Sequence, residues 1–331
     1  MGLLLDGKVI LITGGTGSFG KKFTEIVLKK FKPEKLIIFS RDEFKQYEMS
    51  KLFPENKFPI RFFLGDVRDK NRLYRAFDGV DYVIHAAALK QVPALEYNPS
   101  EAVKTNVNGA DCIIDAAINS KVKKVIALST DKAVNPVNLY GATKLVAEKL
   151  FVAGNAYGGG KVKFSIVRYG NVVGSRGSVI PLFISFKKRG IKEFPITDER
   201  MTRFWITLEE GVDLVLNALN ESVGGEVFVP KIPSMKILDL AKAIEPQCII
   251  KNIGIRPGEK LHESLISEDE SRKTKIFNNL FVIMPQFLGT HILHEKYKDF
   301  EDVQEHFVYK SDTNDKWLTF ENLKSIIKNF A

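Results

Sequence analysis

Cysteine and long apolar runs are both scarce in this sequence, and each scarcity excludes a class of protein. Only two of the 331 residues are cysteines, and Cys112 and Cys248 stand far apart without metal-ligand spacing. This excludes a disulfide-built scaffold and suits a reducing compartment, so we expect a cytoplasmic protein. No apolar stretch reaches the ~20 residues that a membrane helix needs. The apolar start at Met1–Leu5 is too short for a signal peptide, so we expect no membrane partner.

Clustered histidines and clustered basic residues are missing as well. His291 and His294 have helical spacing, but no third ligand accompanies them or His262, so we expect no metal site. The formal net charge is +9, yet the lysines are scattered, and neither a basic arm nor an aromatic-interleaved RNA motif occurs. We therefore expect no nucleic-acid partner. A basic balance instead suits an enzyme whose small-molecule ligands carry phosphates.

The first half of the chain alternates short β-branched runs with helix-length amphipathic segments. This alternation is typical of a parallel sheet covered by helices on both faces. We predict an α/β fold of the Rossmann type, a doubly wound parallel sheet with its ligand crevice at the carboxyl ends of the strands. The predicted strands are Lys8–Thr13, Lys35–Ser40, Ile60–Gly65, Tyr82–Ala86, Val125–Ser129 and Lys163–Arg168. The predicted helices are Gly20–Lys30, Asp42–Phe53, Asn71–Phe77, Ser100–Asn119 and Leu139–Ala156.

The alternation of strand-like and helix-like segments ends after about Gly174, where glycine and proline divide the chain into shorter pieces. We predict a nucleotide-binding domain over residues 1–174, to which some later segments return. A smaller C-terminal α/β domain over residues 175–331 is predicted to bind the substrate and to include the tail. The stretch from about Asn279 onward has weak periodicity and no predicted role.

The first predicted strand ends in a glycine-rich turn that opens a helix. The glycines stand three residues apart, which lets the backbone turn sharply and lie against a pyrophosphate with no Cβ in the way. The amino terminus of the following helix offers unpaired N–H groups and a partial positive charge to the anion. We predict a dinucleotide site that includes Gly14, Thr16, Gly17, Ser18, Phe19 and Gly20.

The end of the second strand indicates which dinucleotide binds. Where an NAD enzyme places an acidic residue for the ribose 2′-hydroxyl, this sequence has Ser40 and Arg41, with Lys45 one helical turn beyond. A guanidinium suits a 2′-phosphate, so we predict NADP as the cofactor, with Arg41 and Lys45 facing the same anion. The alternative is that Asp42 or Glu43 folds back onto the ribose and the enzyme takes NAD.

Further polar residues follow the third and fourth strands. Asp66 and Val67 stand where contacts to the adenine edge are expected, and Asp69 is predicted to cap a helix. His85 lies at a strand end, where we expect a buried, hydrogen-bonded histidine more than an acid.

A tyrosine and a lysine four residues apart follow the fifth strand. Tyr140 and Lys144 project from the same face of their predicted helix. The ammonium can hold the nicotinamide ribose and lower the pKa of the phenol from its usual value of ~10. The phenol then becomes a usable acid or base near neutrality. Ser129 or Thr130, at the end of the strand, can hydrogen-bond a substrate hydroxyl or carbonyl near the hydride-transfer carbon.

Five segments together resemble one family. They are ITGGTGSFG at 12–20, SRDE at 40–43, HAAALK at 85–90, LSTDK at 128–132 and RYGNVVGSRGS at 168–178. With the Tyr–Lys pair they resemble the extended short-chain dehydrogenase/reductase superfamily. Within it they are similar to the inverting UDP-N-acetylglucosamine 4,6-dehydratases, of the polysaccharide biosynthesis protein family. The resemblance runs from about residue 7 to about residue 270.

The resemblance implies a lyase (hydro-lyase) reaction on UDP-N-acetylglucosamine. Hydride leaves sugar C4 for tightly bound NADP while Tyr140 takes the C4 hydroxyl proton. The 4-ketone acidifies the C5 proton, water is eliminated across C5–C6, and hydride returns to C6, so that NADP is recycled. The implied product is a UDP-2-acetamido-2,6-dideoxy-hexos-4-ulose with C5 inverted, for flagellar or surface glycans of the pseudaminic acid type. The family also implies a homo-oligomer.

The elimination requires an acid and a base beyond the Tyr–Lys pair. Asp131 and Lys132 directly follow the fifth strand, where dehydratases of the dTDP-glucose type carry Asp-Glu instead. The resemblance implies that the Asp-Lys pair performs the elimination. Lys132 can serve as the C5 base only if desolvation or neighbouring cations depress its pKa, and Asp131 would then protonate the departing C6 hydroxyl. The roles of the two residues stay open at this point.

The resemblance also implies further binding residues. Ala86 and Val172 would contact the cofactor, and Lys90 would reach both cofactor and substrate. Arginines pair bidentately with phosphates, and a carboxylate can accept from ribose hydroxyls. The implied substrate residues are Lys90, Asn171, Ser175, Arg176, Gly177, Ser178, Arg203, Arg256 and Glu259.

Three alternatives are compatible with parts of this pattern. A UDP-hexose 4-epimerase shares the fold and the Tyr–Lys pair, but it needs no elimination pair such as Asp131 and Lys132. A retaining dehydratase gives the other C5 configuration, and residue logic does not separate it from an inverting one. A non-catalytic NADP-sensing regulator keeps the glycine turn, but such proteins usually lose the Tyr–Lys pair that is present here.

Overall fold

The sheets of the molecule are built from the buried, β-branched runs of the sequence. The computed structural model describes residues 5–174, 178–286 and 291–328. Its strands are β1 (Val9–Thr13), β2 (Lys35–Ser40), β3 (Ile60–Leu64), β4 (Tyr82–His85), β5 (Lys124–Thr130), β6 (Lys163–Tyr169), β7 (Asn171–Val172), β8 (Glu193–Ile196), β9 (Thr202–Ile206), β10 (Val227–Pro230), β11 (Ser234–Lys236), β12 (Ile249–Asn252), β13 (Ser264–Ile266), β14 (Thr274–Phe277), β15 (Leu280–Ile283) and β16 (Tyr309–Lys310).

Helices alternate with these strands through the first half of the chain. They are α1 (Ser18–Lys30), α2 (Glu43–Leu52), α3 (Lys70–Phe77), α4 (Val92–Tyr97), α5 (Pro99–Ala102), α6 (Gly109–Asn119), α7 (Leu139–Tyr157), α8 (Val179–Lys188), α9 (Leu208–Glu221), α10 (Ile237–Ile244), α11 (Glu268–Ser271), α12 (His291–Tyr297) and α13 (Phe320–Lys328). A π-helical turn, Val103–Asn108, joins α5 to α6, and a 3₁₀ turn, Asp131–Ala133, follows β5.

Nine of the described strands form one sheet in the order β14-β15-β10-β6-β5-β4-β1-β2-β3. The strands from β3 to β10 pair in parallel, whereas β15 and β14 add antiparallel at one edge. This is the doubly wound order, in which the direction of winding reverses between β1 and β4. The predicted Rossmann-type α/β fold is confirmed.

The six predicted strands and five predicted helices are present, with ends displaced by only a few residues. The predicted helix Ser100–Asn119 is interrupted by the π-helical turn, and α4 was not predicted. The predicted cap is confirmed, because the side chain of Asp69 accepts the N–H of Arg72 at 3.0 Å and begins α3.

The chain after Gly174 contributes to two packing regions. Strands β10, β14 and β15 extend the large sheet. A separate cluster of buried apolar side chains, including Phe183, Phe194, Trp205 and Leu240, lies among α8, α10, α13 and the small sheets. The domain boundary at residue 174 stays a prediction. None of the helices in the described ranges combines the length and apolar character needed to cross a membrane.

Candidate active site

The carboxyl ends of β1, β2, β4, β5 and β6 surround a crevice of about 680 Å³, at the point where the strand order reverses. A cavity of this size, lined by both apolar and polar side chains, is typical of a cofactor or small-molecule site. Every residue predicted to bind the cofactor lines it, namely Gly14, Thr16, Gly17, Ser18, Phe19, Gly20, Ser40, Arg41, Lys45, Asp66, Val67, Ala86, Lys90, Tyr140, Lys144 and Val172. The structure therefore brings these residues together.

The glycine turn lies so close to neighbouring backbone that only glycine fits. Gly14 has a φ of +65°, and a Cβ at this position would lie 2.9 Å from the backbone nitrogen of Ala87. A Cβ on Gly20 would overlap the carbonyl group of Gly15. Helix α1 begins at Ser18 with no acidic residue in its first turn, so its amino terminus presents a positive partial charge to the crevice. The turn is a cradle of the shape and charge that a pyrophosphate requires.

The end of β2 places two cations at the crevice wall. Lys45 Nζ lies 2.5 Å from Asp42 Oδ2, and Asp42 Oδ1 accepts the backbone N–H of Lys45 as the cap of α2. Arg41 is 55% exposed, and its Nη1 lies 3.7 Å from Asp66 Oδ2. The two cations both line the crevice, but their side chains contact different carboxylates.

Tyr140 and Lys144 line the crevice from the first turns of α7. Lys144 is 5% exposed, and burial lowers its pKa to about 8, although Glu148 acts in the opposite direction. Burial also raises the pKa of Tyr140 to about 12, against the lowering effects of Lys132 and Thr130. The expectation that Lys144 lowers the pKa of this phenol is wrong, because burial outweighs the cations and the cation that acts on the phenol is Lys132.

Gly141 explains how α7 approaches the turn that carries Lys132. A Cβ at Gly141 would overlap the carbonyl oxygen of Lys132 and lie 3.1 Å from the Pro136 side chain. The absence of that Cβ allows the amino terminus of α7 to pack directly on the 3₁₀ turn. Tyr140 and Lys132 consequently stand at the same part of the crevice.

Lys132 lies between two buried carboxylates. Its Nζ is 3.1 Å from Asp131 Oδ1 and 3.2 Å from Glu263 Oε1. Burial by itself lowers the pKa of Lys132, but the two carboxylates outweigh it and raise the pKa above its usual value. The ammonium is therefore the stable form at neutral pH. The condition stated for Lys132 as the C5 base, a depressed pKa, is not met, because Glu263 adds a second negative charge from a distant part of the chain.

Asp131 is fully buried and, unlike Lys132, does not line the crevice. Thr130 Oγ1 donates to Asp131 Oδ1 at 2.8 Å, and Thr130 does line the crevice. Asp131 Oδ2 has no hydrogen-bond partner among the described residues. Asp131 is thus linked to the crevice through Thr130 and Lys132.

Two buried polar residues support the crevice from behind. His85 is 2% exposed and shares a hydrogen bond of 2.9 Å with Thr13 Oγ1, which confirms the expected buried histidine. Burial lowers its pKa to about 3, so its ring is neutral. Asn106, in the π-helical turn, exchanges two hydrogen bonds of 2.9 Å with the backbone of Leu89 and donates to Thr143 Oγ1 at 3.1 Å. Asn106 thereby ties the loop after β4 to α7.

Among the predicted substrate residues, Lys90, Asn171 and Ser178 line the crevice. Lys90 is exposed at its mouth, and its pKa is lowered by partial burial and by Lys132. Ser175, Arg176 and Gly177 lie outside the described residues.

Arg203, Arg256 and Glu259 do not line the crevice, and their contacts with the nucleotide stay predictions. The guanidinium of Arg203 is buried and donates to the carbonyl oxygens of Thr202, Leu261 and Lys260 at 2.7, 3.1 and 2.9 Å. Glu259 Oε1 lies 3.6 Å from Arg203 Nη2, and Arg256 is exposed. Arg203 is held by backbone oxygens because β9 is buried along its whole length.

A model of the polysaccharide biosynthesis protein family matches residues 10–285, which include every residue of the crevice wall. The chain belongs to this family. Relatives of this chain include a Campylobacter jejuni protein named UDP-N-acetylglucosamine 4,6-dehydratase (inverting). The two are 54% identical over 336 residues, 98% of this chain and 99% of the relative. A Rickettsia massiliae protein named UDP-glucose 4-epimerase is 48% identical over 278 residues, 80% of each chain.

The solved structures include a similar fold at full length. The X-ray structure of Pen from Bacillus thuringiensis is 38% identical to this polysaccharide biosynthesis protein, covers 99% of each chain and has a TM-score of 0.89. The strands and the C-terminal segment described above are therefore shared over the whole length of both chains.

One charged residue of the site, Glu263, was not predicted from the sequence. Glu263 is 2% exposed and contacts Lys132 from a segment more than 100 residues later in the chain. No local pattern around Glu263 indicates this contact, because only the packing of β13 beside the 3₁₀ turn brings the two together. Within the described residues, no cluster of histidine, cysteine and carboxylates suits a metal ion.

Proposed function

We propose that this protein is an NADP-dependent UDP-N-acetylglucosamine 4,6-dehydratase that inverts C5. The observation that carries the proposal is the contact between buried Asp131 and the crevice residue Lys132, which stands beside Tyr140 at the end of β5. An oxidation at C4 needs only Tyr140 and Lys144, whereas removal of water needs a second acid–base pair within reach. The 54% identity to a protein named as an inverting dehydratase supports the same reaction and the same stereochemistry.

The crevice fits a nicotinamide dinucleotide. The glycine turn and the amino terminus of α1 would hold the pyrophosphate. Lys144 would donate a hydrogen bond to the nicotinamide ribose. This contact would stabilise its buried ammonium, which forms no ion pair with any of the described residues. Arg41 would bind a ribose 2′-phosphate, and Asp42, already engaged by Lys45, is less free to accept a ribose hydroxyl. These features favour NADP over NAD.

The reaction can be written with balanced protons. When bound in the crevice, NADP would supply the site that takes the hydride from C4 and gives it back at C6. Tyr140, in the phenolate form that the positive charge of a bound nicotinamide would favour, receives the C4 hydroxyl proton during the oxidation. Loss of the C5 proton to a base and protonation of the C6 oxygen then release one water. Hydride arriving at C6 is matched by a proton delivered to C5 from the opposite face, which inverts that centre, and the proton taken up by Tyr140 replaces the one that leaves with the water.

The Asp131–Lys132 contact supplies both groups once a proton moves along it. Transfer from Lys132 Nζ to Asp131 Oδ1, which are 3.1 Å apart, turns an ion pair into a neutral amine and a neutral acid. A substrate that excludes water from the crevice favours the neutral pair, because burial disfavours charges. The amine of Lys132 would take the C5 proton. The proton of Asp131 would reach the C6 oxygen through the Thr130 hydroxyl, since Asp131 itself does not line the crevice.

A mass measurement tests the proposal. The purified protein is incubated with UDP-N-acetylglucosamine, and the product should have lost one water. Lys132→Ala should abolish the loss of water and leave NADP bound, whereas Lys51→Ala, at a surface pair with Glu48, should behave as the wild type. Unchanged substrate after incubation with the wild type would contradict the proposed reaction. Retained turnover by Lys132→Ala would contradict the role of Lys132.

A UDP-hexose 4-epimerase is the second candidate, because the Rickettsia massiliae relative that is 48% identical carries that name. An epimerase would return hydride to C4 and give a product of unchanged mass. The same incubation therefore separates the two reactions. A non-catalytic NADP-sensing regulator fits less well, since Tyr140 and Lys144 both line the crevice.

The cellular setting follows from the proposed reaction. A 4-keto sugar nucleotide made in this way would feed surface or flagellar glycans of the pseudaminic acid type, in the cytoplasm and from a homo-oligomer. Size-exclusion chromatography with light scattering tests the last point.

A further inference from the structure

Glu263 is a buried carboxylate whose contact with the crevice residue Lys132 is not indicated by any local sequence pattern. Its side chain is 2% exposed, and Oε1 lies 3.2 Å from Lys132 Nζ, as close as Asp131 Oδ1 on the other side. Asp131 Oδ1 is shared with the Thr130 hydroxyl, whereas Glu263 Oε1 accepts no hydrogen bond from a hydroxyl in the described residues. The Lys132 ammonium is thus held between two carboxylates that belong to different parts of the chain.

The backbone of Glu263 is fixed independently of its carboxylate. Its N–H donates to Ser311 Oγ at 3.0 Å, and its carbonyl oxygen accepts the Ser311 N–H at 2.8 Å. Ser311 Oγ also shares a hydrogen bond of 2.7 Å with Thr202 Oγ1 of β9. The segment after residue 279, which has no role predictable from sequence, therefore anchors the residue that faces Lys132.

Other charged groups face this cluster from several elements. Arg203 Nε and Lys260 Nζ lie 3.9 and 4.0 Å from the Glu263 carboxylate. Lys132 interacts electrostatically with the charges of Arg203, Lys90 and Lys260 and with the phenol of Tyr140. With these cations nearby, the second carboxylate adds to the stabilisation of an ammonium at Lys132 that Asp131 provides.

We infer that Glu263 is a positioning residue, which holds the Lys132 amine at the crevice wall and sets its protonation state. The predicted effect on turnover rests on the proposed function, whereas the predicted effect on the ionisation of Lys132 does not. Removal of the Glu263 charge leaves Asp131 as the one carboxylate in contact with Lys132 Nζ among the described residues. The pKa of Lys132 should then fall, so that the neutral amine forms at lower pH.

Competitive acetylation of the full-length protein, quantified by mass spectrometry at the peptide that contains Lys132, measures that ionisation without turnover. In Glu263→Gln the labelling midpoint of Lys132 should move to lower pH by about one unit, as expected for the loss of a carboxylate at ion-pair distance. Lys51 serves as the internal reference in every sample. Glu245→Gln, which removes a carboxylate paired with Lys192 away from the crevice, should leave the Lys132 midpoint unchanged.

Turnover gives the second readout. Glu263→Gln should lower kcat by about 10- to 100-fold with little change in KM, because the amine is displaced after the substrate has bound. The pH limb of kcat that depends on Lys132 should move in the same direction as the labelling midpoint. Glu263→Asp, which keeps the charge but withdraws it from Lys132 by one methylene, should show a smaller shift of the midpoint in the same direction and a smaller loss of kcat. If Glu263→Gln does not fold, an unchanged midpoint in Glu263→Asp overturns the positioning role.

The outcomes separate the two proposals. An unchanged Lys132 midpoint in Glu263→Gln overturns the positioning role, even if turnover or thermal stability falls. A wild type that removes no water from UDP-N-acetylglucosamine overturns the proposed function, and the labelling result still decides the role of Glu263.

Discussion

Glu148 and Arg168 form a buried ion pair one helical turn beyond Lys144. Arg168 Nη2 lies 2.6 Å from Glu148 Oε2, and Arg168 Nε lies 3.1 Å from Oε1. Glu270 adds a second carboxylate, with Oε1 2.9 Å from Arg168 Nη2. The guanidinium thus joins α7, which carries Tyr140 and Lys144, to β6 and to the C-terminal segment. Since Glu148 is engaged by Arg168, it compensates Lys144 only in part.

Removal of Arg168 should be strongly destabilising. Arg168→Met leaves the buried carboxylate of Glu148 and the partly exposed carboxylate of Glu270 without their cation, and breaking a buried pair in this way typically costs about 3–5 kcal/mol. Urea unfolding measures the change. Arg61→Met, at an exposed pair with Glu55, is the matched control and should change the free energy of unfolding by less than about 0.5 kcal/mol. If Arg168→Met leaves the free energy of unfolding almost unchanged, the two carboxylates are protonated in the folded protein.

Lys144→Met should stabilise the nucleotide-free protein at neutral pH. The pKa of Lys144 is lowered by burial from 10.5 to about 8, so between these values the folded state binds fewer protons than the unfolded state. Stability of the wild type therefore rises with pH across this window, and below it the buried ammonium is a net cost. Methionine keeps the stem without the charge, and the gain should be about 1–3 kcal/mol.

The gain from Lys144→Met should disappear above a pH of about 10.5, where the lysine is neutral in both states. Urea unfolding at a series of pH values gives the comparison, with Lys51→Met as the exposed control. If Lys144→Met were less stable than the wild type at neutral pH, the ammonium would have a stabilising partner. Turnover should be lost in either case, because the variant cannot hold the nicotinamide ribose.

Residues that share a local pattern were predictable, and residues joined by tertiary contact were not. Gly14, Tyr140 and Lys144 lie in the crevice because strand ends and helical spacing place them there. Arg203 was expected to bind phosphate, but its guanidinium is buried against backbone oxygens, and nothing in the sequence of β9 distinguishes the two environments. The sequence leaves open whether the pKa of Lys132 is depressed, because the direction of the shift depends on Glu263, which approaches Lys132 only in the folded chain.

A pair of glycine substitutions tests the cradle. A Cβ on Gly20 would overlap the backbone of Gly15, so Gly20→Ala should lower stability by about 1–3 kcal/mol and weaken NADP binding. Gly211 lies within α9, and the nearest atom to its Cβ position is 4.0 Å away. Gly211→Ala should therefore stabilise the protein by about 0.5–1 kcal/mol and leave binding unchanged. Nucleotide titration and thermal unfolding read out both, and equal effects of the two substitutions would exclude a specific role for Gly20.

Arg41 should determine the preference for NADP over NAD. Its side chain is 55% exposed at the crevice wall, and its Nη1 lies 3.7 Å from Asp66 Oδ2, so the guanidinium is weakly held and able to turn toward a 2′-phosphate. Arg41→Ala removes charge-assisted hydrogen bonds worth about 1.5–3 kcal/mol. The Kd for NADP should rise by about 10- to 100-fold, while the Kd for NAD, which has no 2′-phosphate, stays nearly constant.

Calorimetric titration of both dinucleotides measures the two constants. Arg61→Ala, an exposed arginine of β3 outside the crevice wall, is the control and should bind both as the wild type does. Lys45→Ala should have a smaller effect than Arg41→Ala, because Lys45 Nζ already lies 2.5 Å from Asp42 and must leave that contact to reach a phosphate. Equal losses for NADP and NAD in Arg41→Ala would show that Arg41 supports the fold of the site and does not read the 2′-phosphate.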